Sequence, residues 1–333
     1  MRSIRLNAPN KSHDKYSDSF ITEAHDADLH ASNLTDWQQQ YDQISCGSFY
    51  GRIIELPFTG GLQVFHEYTN QKLQQRCQVW PDAIWLGIPL AEQALCRIDG
   101  LSIQPDNIMC RPSACNFNLS TPTNYQLYGI VVEQTKLLHM AQIHGVELNW
   151  RELNEYGRLR MPEATLAKVR FLLARLLSGY SALDKKRAPI KLQQDLVMML
   201  LLEVLQRESP QPANRQGYYH RKKVVDDACC YVKSRAFEPV TISQLCAITN
   251  VSHRTLQYSF TSILGISPIQ YLRLSRLNGA RRTLLQTQKN VNQTVESVSK
   301  VATEWGFWHL SQFAKDYKQL FNELPSQTLS KRI

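Results

Sequence analysis

Four residues with hydrogen-bonding side chains, His253, Arg254, Gln257 and Tyr258, follow one another at offsets of one, three and one. On a helix of 3.6 residues per turn these offsets gather them on one side, while Leu256 and Phe260 fall on the other, where a core must lie. A guanidinium matches O6 and N7 of guanine, an amide matches N6 and N7 of adenine, and Tyr and His contact bases or phosphates. That chemistry is recognition of duplex DNA, with no bond made or broken. A second set, His309, Ser311, Gln312 and Lys315, stands further on. Leu310, Phe313 and Tyr317 are its expected core positions, leaving Ser311, Gln312, Ala314 and Lys315 outward. Its hydrogen-bonding capacity is poorer, so phosphate and shape contact are expected of it more than base reading, with Lys315 the strongest contact and His309 acting at the helix start.

The elements that hold these residues read as short capped helices. A first helix is expected over Arg221–Ala236, with Val224, Val225, Ala228 and Tyr231 near one face. Thr241 can cap Ile242–Thr249; Ser252 can then cap a helix from His253 to about Leu264. Asn250 stands where the intervening turn demands a left-handed backbone. The pattern repeats. Leu245, Cys246, Asn250 and Val251 match Val301, Ala302, Gly306 and Phe307, each 56 positions on; Leu256, Phe260, Gly265 and Pro268 match Phe313, Tyr317, Asn322 and Pro325, each 57 on. The second turn thus carries one extra residue. Between the units Ser267 caps a long helix through Tyr271, Leu272, Leu277 and Leu284 to about Gln286. It would hold two reading helices against groove segments about 34 Å apart, one duplex turn. Its Arg273, Arg276, Arg281 and Arg282 suit phosphates or intramolecular ion pairs equally.

Charge follows the same division. Residues 215–333 hold 17 Lys and Arg against 7 Asp and Glu, and residues 1–214 hold 21 against 22, so the whole excess of +9 lies in the last third. This is the footprint of a domain that neutralises phosphates, although a basic region alone also suits RNA or an anionic membrane.

Earlier in the chain, GRIIEL, GLQVFHEYT and QLYGIVV read as strands between about Cys46 and Val132. Helices are expected over Pro162–Gly179 and Pro189–Gln206. The second, with LVMMLLLEVL, is apolar around more than one face, which suits a partner subunit as well as its own core. Trp80, Trp85, Phe65, His66 and Glu67 are pocket candidates by residue type, and aromatic core packing is the competing reading. His25 and His30 sit in a polar leader, and His66 and His139 are isolated. There is no HxH, HExxH, GxSxG or Walker-type spacing, so neither catalysis nor a metal site is expected. The eight cysteines match no zinc spacing, and buried reduced thiols are expected; the adjacent Cys229 and Cys230 leave a redox or metal sensor as the alternative. Met1–Phe20 shows no secretory pattern, and Leu196–Leu202 is too short to cross a bilayer, so a cytoplasmic location is expected.

The runs VSHRTLQYSFTSILGISPIQYLRLSRL from Val251 and WGFWHLSQFAKDYKQLFNELPSQTL from Trp305 resemble the AraC/XylS family of transcription regulators. Asn250 and Asn322 stand where that family usually has Gly. The resemblance implies an α+β chain: a polar, partly disordered leader over 1–36, a β-rich, cupin-like effector-sensing and dimerisation domain with a helix pair over 37–208, a linker over 209–220, and over 221–333 an all-α DNA-binding domain of two helix-turn-helix units joined by a long helix. It aligns base-reading positions with Arg254, Gln257 and Tyr258. It also implies promoter DNA and RNA polymerase as partners, a homodimer, a small-molecule effector and activation of an operon, with no cofactor required for DNA binding. WQQQYDQ from Trp37, LQVFHEYT from Leu62, VWPDAIWLGIP from Val79 and FNLSTP from Phe117 further resemble regulators of ethanolamine-utilisation operons, which implies ethanolamine and adenosylcobalamin as effectors. The residues alone leave a non-selective nucleic-acid-binding protein as the rival reading.

Overall fold

Alternation of buried and exposed side chains breaks down where a sheet is covered on both faces, and the run Ala83–Pro89, buried at all seven positions, marks such a place. The computed structural model describes residues 20–331 apart from 57, 114–115, 149–156, 179–188, 207–208, 211–214 and 290–296. In chain order the first part comprises β1 (Phe20–Ala24), α1 (Ala27–Ala31), β2 (Gln38–Gln43), β3 (Gly51–Leu56), β4 (Leu62–Thr69), β5 (Leu73–Gln78), β6 (Ala83–Pro89), β7 (Arg97–Ile98), β8 (Leu101–Ser102), β9 (Asn107–Pro112), β10 (Phe117–Thr121) and β11 (Tyr125–Glu133). After these come α2 (Gln134–Ile143), β12 (Arg158–Arg160), α3 (Glu163–Ser178), α4 (Ile190–Gln206) and β13 (Ser209–Pro210). One sheet runs β1-β3-β4-β11-β6-β9-β12-β13 and the other β2-β5-β10-β7-β8, with antiparallel neighbours throughout.

Trp85, Phe65, Tyr41, Phe117 and Leu127 fill the space between the sheets. On the other face of the larger sheet, Val64, Ile84, Leu86 and Ile130 pack against Leu137, Leu166, Val169, Leu173 and Leu201 of α2, α3 and α4. Period-two side chains of β6 therefore meet apolar partners on both sides. Helix α4 buries Val197, Leu200, Leu201, Val204 and Leu205 and leaves Leu192, Leu196 and Met199 exposed, a second apolar stripe. Among the described residues no helix is long and apolar enough to cross a membrane.

The span 20–36, expected to belong to a polar leader, is instead part of the fold. Strand β1 pairs with β3, and Asp26 caps α1 by accepting from the Asp28 and Leu29 amides. His30, expected in that leader, is fully buried, with its Nε2 3.0 Å from Glu67 Oε1. Residues 1–19 of that leader lie outside the described residues.

All-helical structure follows: α5 (Arg215–Ser234), α6 (Ile242–Thr249), α7 (His253–Leu264), α8 (Pro268–Lys289), α9 (Val298–Glu304), α10 (Leu310–Phe321) and α11 (Pro325–Ser330). Helix α5 starts at Arg215, within the span expected to be linker, rather than at Arg221. The expected caps form: Thr241 and Gln244 make a reciprocal capping box, Ser252 accepts from Thr255 N, and Ser267 accepts from Gln270 N. Helix α8 supplies Tyr271 and Leu272 to one core and Leu277, Ala280 and Leu284 to a second.

A third side of α8 meets the β-domain. Arg281 pairs with Asp26 and, at 2.6 Å, with Glu323; Arg282 pairs with Asp28 at 2.9 Å and with Asp42. Asn278 clips the β2 edge, accepting from Gln43 N at 2.9 Å and donating to Gln43 O at 3.0 Å. The intramolecular reading of these two arginines is the one the fold adopts. Removing one member of a buried pair strands its partners in low dielectric. Arg281→Ala is therefore expected to destabilise the chain by about 3–5 kcal/mol, read as a lowered urea midpoint; an unchanged midpoint would show that water reaches Asp26 and Glu323.

Candidate nucleic-acid interface

Each reading helix is held by the same backbone device. In the first unit Val251 N donates to Cys246 O at 3.1 Å and Asn250 N to Ala247 O; in the second Phe307 N donates to Ala302 O at 2.9 Å and Gly306 N to Thr303 O. Asn250 (φ 51°) and Gly306 (φ 76°) occupy the left-handed region at the turns, and Gly265 and Asn322 do so at the helix ends. Both Asn residues thus do the work of glycine, at a smaller conformational cost than other side-chained residues would incur. Leu245 and Val301 are wholly buried at the matching positions of α6 and α9. The extra residue of the second turn is Trp308, which is 70% exposed.

On α7, Leu256 and Phe260 are wholly buried, His253, Arg254 and Tyr258 are exposed and Gln257 is half-buried. The four expected reading residues therefore share one surface. Arg221 of α5 lies with its guanidinium 5.4 Å from the centre of the Tyr258 ring, adding a cation beside this face. Sequence reasoning assigned Arg221 no contact, because only the packing of α5 on α7 brings it there.

On α10, His309, Ser311, Gln312 and Lys315 are all exposed. His309 stands at the N-cap but makes no side-chain cap bond. Gln312 Nε2 donates to Asp316 Oδ1 at 2.6 Å, and Asp316 in turn pairs with Arg273. The Gln312 amide is thereby tied to its own helix. Lys318, passed over in the sequence, is also exposed on this helix. Leu310, expected in the core with Phe313 and Tyr317, is 46% exposed, whereas those two are buried. It sits at the start of the helix, whose buried positions begin only at Phe313, so periodicity gave its direction but not where burial begins. On α8, Arg276 donates to Val240 O at 3.3 Å and so ties the first unit to the connecting helix.

The pocket candidates separate by face. Trp85 stacks on Phe117 at 4.8 Å, with Trp37 edge-on to it, and Phe65 lies alongside. Glu67 accepts from Tyr41 OH at 3.0 Å, and burial, with this carboxylate beside it, pushes the Tyr41 hydroxyl well above its ordinary pKa. The space left among these side chains is about 10 Å³, room for about one water. His66 faces the opposite side against Tyr128, where burial lowers its pKa, and Trp80 is only partly buried at the rim. A far larger cleft, about 560 Å³, opens between the smaller sheet and α5, lined by Gln38, Arg76 and Asn118 on one wall and Lys222, Asp226 and Lys233 on the other. Cys229 is buried in that wall, its thiol pushed up by burial, and Cys230 is exposed. Among the described residues no cluster of His, Cys, Asp and Glu could hold a metal ion.

Residues 245–331 match the model of a helix-turn-helix domain family. The chain is 36% identical over 106 residues to a probable thc operon regulatory protein of Rhodococcus erythropolis, covering 32% of this chain and 31% of that one. It is 28% identical over 135 residues to the XylDLEGF operon transcriptional activator 2 of Pseudomonas putida, covering 40% of this chain and 81% of that one. Among solved structures, a probable AraC family transcriptional regulator from Rhodopseudomonas palustris is 32% identical, with 32% of this chain and 94% of that one covered at a TM-score of 0.29. The chain thus spans about a third of the Rhodococcus protein, and the family match over residues 245–331 falls on the part that carries the paired units. Residues 245–331 are thus a helix-turn-helix domain, and the chain is similar there and elsewhere in part to regulators of bacterial operons.

Proposed function

We propose that the chain is a sequence-specific DNA-binding transcription regulator, an activator of an operon, acting in the cytoplasm as a homodimer together with RNA polymerase. The observation that carries this reading is the pair of helix-turn-helix units on one connecting helix, each with a buried core face and an outward face of the expected residues. The exposed apolar stripe of α4 supports the dimer, since Leu192, Leu196 and Met199 recur at helical spacing on one side. A regulator of this class needs no catalytic group, and none is assigned.

The β-domain is read as a cupin-like sensor, with its effector seated in the interdomain cleft rather than among the packed aromatics. Arg76, Lys222 and Lys233 against Asp226 suit an anionic molecule better than an ammonium ion. Ethanolamine and adenosylcobalamin rest on the resemblance to ethanolamine-operon regulators alone. Ethanolamine fits the cleft in size but not in charge, and a cobalamin is larger than the cleft and would bridge its open side.

Footprinting of the full chain on DNA upstream of its own gene and of neighbouring operons tests this reading. A discrete protected region is expected, and uniform protection of every sequence would favour the non-selective reading. Repeating the footprint with ethanolamine and adenosylcobalamin tests those effectors, because a pattern indifferent to both discards them and leaves the regulator. Within the protected site, Arg254→Ala is expected to relax discrimination at one base position and to cost about 1–3 kcal/mol of binding; equal losses on target and random duplexes would remove Arg254 from base reading. Lys315→Ala is expected to weaken binding alike on all sequences and to lower the slope of log affinity against log salt by about 1. An unchanged slope would place Lys315 away from phosphate.

A further inference from the structure

The internal repeat extends beyond turns and caps to the buried positions of the two reading helices. Helix α7 buries Leu256, Ser259, Phe260, Ile263 and Leu264; helix α10 buries Phe313, Asp316, Tyr317, Leu320 and Phe321, each 57 residues later. Both helices have twelve residues and both end in a left-handed residue. Equal burial at equal offsets means that the outward positions correspond as well. His253 is matched by Leu310, Arg254 by Ser311, Gln257 by Ala314 and Tyr258 by Lys315.

Two of the polar positions of the first helix are therefore apolar in the second. Leu310 is 46% exposed and joins no core cluster. Residues near the N-terminus of a reading helix are those that reach base edges, and Leu310 is the first residue of α10. The neighbouring Gln312 amide is held by Asp316, so it is not poised for a bidentate contact with adenine. Exposed Lys315 and Lys318 on the same helix draw this surface toward phosphate. In the major groove the only apolar group that a base pair presents is the C5-methyl of thymine, which apolar side chains recognise.

Building on the regulator reading above, we propose that the second unit reads thymine methyl groups through Leu310 and Ala314, while the first unit reads hydrogen-bonding groups through Arg254 and Gln257. The two units then divide recognition by chemistry. Duplex RNA, which lacks the methyl and closes its major groove to side chains, is excluded by the same contacts.

The test replaces thymine by deoxyuridine, one position at a time, throughout the footprinted duplex, with the full chain as binding protein. The segment bound by the second unit is the one about a duplex turn away from the base position at which Arg254→Ala loses discrimination. There, one or two substitutions are expected to weaken binding about fourfold each, the equivalent of about 0.8 kcal/mol for a buried methyl. Leu310→Ala, at an exposed position that leaves the core intact, is expected to bind more weakly and to lose sensitivity to deoxyuridine at one of these thymines, that of Ala314 remaining, while Arg254→Ala keeps both. A site insensitive to deoxyuridine throughout that segment overturns the proposal, as does undiminished sensitivity at every such position in Leu310→Ala. Leu310→Ala binding DNA as the parent does would assign the apolar surface to a protein partner instead. Absence of any discrete site would remove the regulator reading itself, and this proposal with it, before any thymine is replaced.

Discussion

Helix α8 has to be buried against three bodies at once, and most of the architecture follows from how it manages this. Two of its sides are apolar and complete the cores of the two helix-turn-helix units through Leu272 and Tyr271, and through Leu277 and Leu284. The third side must meet a sheet edge, where backbone groups are unpaired and a purely apolar face would leave them so. Asn278 answers by donating to and accepting from Gln43, and the two arginines by pairing with Asp26, Asp28, Asp42 and Glu323. Burial alone works against the charge on Arg281. Tyr317, Asp26 and Glu323 more than offset it, so the guanidinium stays protonated and its pKa is raised. Such a cluster adds little net stability over an apolar one, but it permits one register only.

The same helix shows what local sequence could and could not disclose. Caps, turns and cores of the two units depend on residues a few positions apart, so Thr241, Ser252, Asn250 and the 56- and 57-residue offsets were legible. Gly279 is different: it interrupts a good helix at a cost of about 1 kcal/mol, and only the structure shows the Trp305 ring lying where its Cβ would be. Arg281 and Arg282 were ambiguous because Asp26 and Asp28 lie about 250 residues away, in a span whose polar composition read as a leader. Asp26 and His30 looked solvated by composition; a capping bond and a buried carboxylate explain why they are not. Leu310 failed in the opposite direction, since periodicity gives the buried direction of a helix but not where along its length burial begins.

The β-domain has an analogous limit. Aromatic residues in strands mark a sheet interior, but residue type does not say whether that interior is full. Here Trp85, Phe117, Phe65 and Trp37 fill it, and the roomier place forms between domains from polar residues such as Gln38, Asn118 and Lys222, which carry no strong signal individually. Their juxtaposition depends on α5 lying across the smaller sheet, where Tyr218 OH donates to Asp99 O at 3.0 Å and Lys222 lies 3.5 Å from Asp99.

That placement bears on how an effector, seated as proposed, would act. A ligand shifts an equilibrium only by its difference in affinity between two arrangements, so it must touch something that differs between them. Helix α5 lines the cleft with Lys222 and Lys233 and buries Val224, Val225 and Ala228 in the core shared with Leu256 and Phe260 of the first reading helix. The second unit is tied differently, by Leu320 O accepting from Gly47 N and from Gln43 Nε2, and by the arginine cluster. Occupancy of the cleft thus bears directly on the first unit through α5, and reaches the second through α8 and through β2, which carries both Gln38 and Gln43. Because a packed helix is stiff along its axis, a ligand that tilts α5 changes the angle between two reading surfaces more readily than it changes either surface. Control by spacing and angle, with base preference left intact, is the form of regulation this arrangement favours.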